Sequence, residues 1–212
     1  MSDTQHSYQT YISDMLALEQ HVRAPFEAQL ADGDFEQYAT AQALLRRLSD
    51  LSNTHIDALK ALLDREGGHQ ASPVKDAVSA TAGFFAGAID KIRKTKIAKS
   101  LRDDYTALSL CCVSYGMLLS TANAYGKADG VQLAQQHMRD YAQVLMEISD
   151  AMPEIVISDL EETGLDASRA AIEESRTQIE QVWRSSAAAE KGSSTTGEIA
   201  TGTTTGQTIR SV

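Results

Sequence analysis

The sequence predicts an all-α fold: a four-helix bundle of two antiparallel hairpins joined by a long crossover, then a C-terminal helical arm and a disordered tail. Three observations predict it. Only three prolines, Pro25, Pro73 and Pro153, interrupt 212 residues rich in Ala, Leu, Gln and Glu, which are strong helix formers. Four long stretches carry apolar residues at alternating steps of three and four, the spacing that holds side chains on one helical face. Short turns with glycine separate the first stretch from the second and the third from the fourth, so each pair folds back on itself.

The first helix is predicted over 8–31, with Tyr8, Ile12, Met15, Glu19, Val22, Phe26 and Leu30 on its inner seam. Glu19 is a charged residue on that apolar seam, and Pro25 predicts a kink or a break. The run Asp32-Gly33-Asp34 reads as a tight turn, with Asp34 as the N-cap of the second helix. That helix, over 34–66, has the clearest stripe in the chain: Ala41, Leu44, Leu48, Leu51, His55, Leu59 and Leu62. His55 is its one polar member. Gly67-Gly68 stops the helix.

Ser72-Pro73 restarts the chain. A small apolar stretch over 77–89, with Gly83 and Gly87 four apart, leads into a run of six basic residues between Lys91 and Arg102. Together, 67–99 reads as a crossover with a short helix and a basic connector. The third main helix, over 100–125, has Tyr105, Leu108, Cys112, Tyr115, Leu119 and Ala122 on its seam. The fourth, over 129–151, has Ala134, His137, Tyr141, Val144 and Ile148. Met152-Pro153 predicts its end. The arm, 152–186, contains a helix capped by Asp166 with Ile179, Val182 and Trp183 among its apolar residues. From residue 187 to 212 the chain is rich in Gly, Ser and Thr and too polar to fold.

A hydrophobic fraction of 42% supports a sizeable core, and a net charge of −10 opposes general affinity for nucleic acid or anionic membrane. The N-terminus lacks the basic start and apolar run of a signal peptide, and no apolar run of about 20 residues stands out as a bilayer span. These features predict a cytoplasmic protein without membrane contact. Cys111 and Cys112 are adjacent and point in different directions on a helix, which disfavours a disulfide between them.

The lines ISDMLALEQ at 12–20, NTHIDALKALL at 53–63, SYGMLLSTANAYG at 114–126 and MPEIVISDLEETGLDASRAAIEESRTQIEQVW at 152–183 resemble the ferritin-like superfamily, nearest its YciF-like, stress-associated branch. The resemblance implies a di-metal site, built from one Glu on each of two helices and a Glu-x-x-His on each of the other two. Here that site is degenerate. Glu19 matches the lone Glu of the first helix and His55 the His of the second, but the acid three residues before His55 is Ser52. Where the third helix should carry a Glu, the sequence reads SLCC at 109–112. On the fourth, His137 has Ala134 three residues before it, with Asp140 the nearest acid.

Glu19, His55, His137 and Asp140 are thus the vestigial metal candidates. Two metals with so few carboxylates would leave buried positive charge uncompensated. The expected function is that of a non-enzymatic structural or stress-associated protein with no catalytic residue and no cofactor, acting as a homo-oligomer or through a protein partner. Two alternatives stand beside it. One is a ferritin-like metal-binding protein or oxidase holding iron, manganese or zinc on Glu19, His55 and His137. The other is a cargo protein docked to a shell by the C-terminal peptide TIRSV. A simpler reading of His55 is a core histidine hydrogen-bonded to Glu19 or a tyrosine.

Overall fold

A computed structural model describes residues 3–68 and 97–193, with side chains to 185. All regular structure among the described residues is helical. The crossover with its glycine pair, and the C-terminal peptide, lie outside them.

Helix α1 spans Asp3–Leu30 and runs through Pro25 without a break. Its buried seam contains Tyr8, Ile12, Met15, Glu19, Val22 and Phe26, as the spacing predicts. The turn after it differs from expectation. Asp32, not Asp34, is the cap: its carboxylate accepts the Asp34 N–H at 3.1 Å and opens one 3-10 turn over Gly33–Phe35. This turn buries Phe35 and Tyr38 against the core and delays the second helix, α2, to Ala39–Arg65. Tyr38 precedes α2 without a side-chain cap, so burial of the aromatic pair, not capping, fixes where the helix begins. At its other end Gly67 has a φ of 73°, and the Gly68 N–H returns to the Leu63 carbonyl at 3.0 Å. That left-handed residue and back-bond are why a glycine stops the helix here.

Helix α3 spans Ile97–Ala124 and α4 spans Ala128–Glu162. The predicted stop at Met152-Pro153 does not occur. Proline removes one backbone donor, but the residues beyond it make contacts that hold the helix on course. Ile155 and Asp159 are buried. The Asp159 carboxylate accepts the Tyr38 hydroxyl at 2.8 Å and the Ala98 N–H at 3.1 Å, tying the end of α4 to the starts of α2 and α3. The helix stops only at Gly164, with a φ of 77°.

Helices α1 to α4 pack in pairs: α1 on α2, α3 on α4, α1 on α3 and α2 on α4. The four seams close round one core in which Leu45, Leu48, Leu59, Leu62, Leu101, Leu108, Val144 and Ile148 are fully buried. Each such side chain contributes roughly 1.5–3 kcal/mol. At one end of the core Gln5 and Gln9 donate to the carbonyl of Glu66, the C-cap residue of α2, at 2.8 and 2.7 Å, satisfying a group that the helix itself leaves open. By length and composition α3 is apolar enough to cross a membrane, with a window of mean hydropathy 1.3.

The compact unit of Met1–Arg169 contains these four helices; 170–212 forms a second. In the second unit α5, Ala170–Ser193, begins later than the Asp166 cap predicted and continues past residue 187, where disorder was expected to begin. Val182 and Trp183 are exposed on it.

Candidate functional site: a caged carboxylate

Glu19 lies at the middle of the core, fully buried. A carboxylate in that position is tolerable only if donors replace the water it has lost. Four side chains from the three other helices do so. On Oε1, the Tyr115 hydroxyl donates at 2.5 Å and His55 Nδ1 stands at 3.1 Å. On Oε2, the Tyr141 hydroxyl donates at 2.5 Å and Ser52 Oγ at 3.1 Å. The sequence periodicity explains this convergence. Ser52 and His55 are three apart on the α2 seam, while Tyr115 and Tyr141 occupy the seam positions of α3 and α4 level with Glu19.

Two further groups extend the network. His137 Nδ1 lies 2.9 Å from the Tyr115 hydroxyl; because that hydroxyl donates to Glu19, His137 Nδ1 is the donor here. His55 Nε2 faces Asp140 Oδ2 at 3.3 Å, and Asp140 Oδ1 accepts from Gln136 at 2.8 Å at the edge of the core. The rings of His55 and His137 stack, with centroids 3.8 Å apart and planes 13° from parallel. His137 also borders a shallow surface cleft of about 470 Å³, with Arg65, Asp129 and Gln136 on its walls.

The surroundings fix the protonation of three of these groups. Burial raises the Tyr115 hydroxyl well above its ordinary value, and the charge of Glu19 adds to the effect. Burial and then Glu19 do the same to Tyr141. Burial pushes His137 down to about 3, with His55 beside it contributing in the same direction. Near neutral pH both phenols therefore keep their protons and His137 stays uncharged. These are hydrogen-bond donors held in place, not groups poised to exchange protons.

The structure thus brings together all four residues that the sequence nominated: Glu19, His55, His137 and Asp140. It does not arrange them as ligands. The lone pairs of an imidazole lie in the ring plane, so two stacked, nearly parallel rings cannot direct nitrogens at one ion. Both oxygens of Glu19 are already occupied by two donors each. Among the described residues no group of three or more His, Cys, Asp or Glu is placed to hold a metal ion. The residues present do not fit the di-metal site that the resemblance implies.

Tyr115 and Tyr141 were legible as core residues, but their role as donors to Glu19 was not. A second buried polar pair escaped the sequence reading altogether. Asp104, on α3, accepts from Gln29 Nε2 at 2.8 Å, while Asp104 Oδ2 and Gln29 Oε1 are buried without a partner among the described residues. Burial raises the Asp104 carboxyl to about 7; the Gln29 bond opposes this and Asp103 adds to it. Asp104 falls in register with Leu101 and Leu108 on the buried seam, and that register was the available signal. Cys111 is buried and Cys112 half-buried, and both are free thiols.

No family model matches the chain, and no curated protein matches it. Among solved structures it is similar to a protein from Xanthomonas campestris pv. campestris str. ATCC 33913. The two are 14% identical, with a TM-score of 0.61, over 77% of this chain and all of the other. At that identity the likeness concerns the helical fold alone.

Proposed function

We propose that this chain is a ferritin-like scaffold whose metal centre has been replaced by a hydrogen-bonded plug, and that it works without catalysis, through self-association or a protein partner. The observation that carries this reading is the double occupancy of both Glu19 oxygens by Tyr115, His55, Tyr141 and Ser52. A bridging carboxylate needs its oxygens for the metals; here they serve three hydroxyls and an imidazole, and burial keeps two of those hydroxyls protonated. Ser52 supplies a hydroxyl where the family pattern asks for an acid, so one lost carboxylate has become one of the donors.

The rival reading, a metal-binding protein or oxidase, has one observation in its favour: the four candidate residues form a single cluster, with His55 between Glu19 and Asp140. A thermal-shift measurement separates the two. A site specific for the native state stabilises the fold in proportion to ligand concentration. The scaffold reading predicts one melting temperature in chelator and in added Fe²⁺, Mn²⁺ or Zn²⁺. A saturable rise that disappears in His55→Ala would establish the rival. Docking by the C-terminal peptide and a cytoplasmic location remain proposals that rest on the sequence, with no described residue bearing on them.

A further inference from the structure

The outer face of α3 has features that nothing among the described residues explains. Val113 is 65% exposed, Met117 50% and Leu110 36%. These positions are three and four apart, so they share one stripe on the side away from the core. From residue 105 to 126 the helix carries no charged side chain at all, in a chain whose net charge is −10. Gly116 lies beside that stripe, in mid-helix, and a Cβ built there meets nothing within 4 Å. Glycine weakens a helix interior relative to alanine, and at most buried glycines close packing inside the fold is the reason for it. Among the described residues no atom requires the absence of a side chain at Gly116.

We propose that this face of α3, centred on Gly116, is where two copies of the chain pair across a twofold axis; the proposal rests on the self-association reading above and specifies its surface. Charge points to a second copy. In a twofold contact one patch faces a copy of itself, residue i meeting j and j meeting i, so on a molecule with a net charge of −10 a carboxylate-rich patch would face another carboxylate-rich patch. The stripe of α3 carries no charged side chain from 105 to 126, so pairing it with its own copy sets no like charges of α3 against one another. Glycine at the centre lets the two helix backbones approach closely, while Val113, Met117 and Leu110 from each copy supply the apolar area.

The test is sedimentation velocity of the full chain in the micromolar range, with circular dichroism and melting curves run alongside. Three proteins are compared: wild type, Val113→Glu/Met117→Glu, and Gly116→Gln. Gly116→Gln adds bulk only outside the fold and improves helix propensity, so it remains folded even if the double variant does not. The expected result is a wild-type dimer and a monomeric Gly116→Gln protein with undiminished helicity, the double variant behaving likewise. A wild-type monomer would overturn both this surface and the self-association reading. A dimer that survives in Gly116→Gln and is lost in Val182→Glu/Trp183→Glu would overturn the α3 surface alone and assign pairing to the arm. Flotation of monomeric wild type with phosphatidylcholine–phosphatidylglycerol vesicles, abolished in Val113→Glu/Met117→Glu, would overturn it in favour of a lipid surface.

Discussion

Glu19 sets the energetics of the core at the scale of single residues. Removing one donor from a buried, hydrogen-bonded charge costs more than removing a neutral pair, because the acceptor remains and cannot regain water. Tyr141→Phe deletes one hydroxyl and leaves the ring; we predict a loss of about 1–3 kcal/mol in denaturant unfolding. Tyr115→Phe should cost at least as much, since it strands both Glu19 and His137 Nδ1. Asp104 behaves in the opposite sense. Its folded pKa is raised from 3.8 to about 7, so the folded state binds a proton that the unfolded chain has given up. The stability it contributes is complete below about pH 4 and is lost as pH rises through about 7. An asparagine side chain at this position cannot ionise, and it can both accept from and donate to the Gln29 amide. Asp104→Asn is therefore expected to match wild type near pH 4 and to melt at a higher temperature at pH 8. Parallel melting curves that stay the same distance apart across that range would refute the assignment.

The helices differ in how much of their extent the sequence disclosed. The stripes of α1 and α2 fixed their inner faces correctly, because periodicity depends only on which residues avoid water. The boundaries were harder to read. Asp34 looked like a cap, yet burial of Phe35 and Tyr38 shifted the start of α2. Pro153 looked like a stop, yet Asp159 reaches Tyr38 and Ala98 and holds the helix past it. Both corrections come from tertiary contacts between residues far apart in sequence, which local rules cannot register. One glycine was likewise invisible to such rules. A Cβ on Gly130 of α4 would fall 1.8 Å from the Tyr8 hydroxyl and 3.2 Å from the Cβ of Ala122, so any larger residue there must displace the buried Tyr8 ring of α1. Gly130→Ala should destabilise the protein by about 1–3 kcal/mol through overpacking. The Tyr8 hydroxyl is buried with no hydrogen-bond partner among the described residues, so Tyr8→Phe alone should be close to neutral and should relieve much of the Gly130→Ala penalty. Equal penalties in both backgrounds would show that the clash lies elsewhere.

Across the whole molecule, the all-helical class and the pairing of the hairpins were legible from spacing and turns, and so was the identity of the residues that cluster at the centre. What they do together was not. Glu19, His55, His137 and Asp140 read as vestigial metal candidates by type and position; the stacking of the two imidazoles and the donation by Tyr115 and Tyr141 depend on ring orientations that no sequence pattern encodes. Ser52 was the informative residue in the sequence, since it marked a missing carboxylate, and in the structure it contributes a donor to the carboxylate that remains. The account therefore turns on whether the centre of this bundle is a plug or a site. Elemental analysis of the full chain, purified under reducing conditions beside His55→Ala, tests this most directly. A plug predicts substoichiometric iron, manganese and zinc in both proteins. Stoichiometric metal in wild type that is absent from His55→Ala would contradict it.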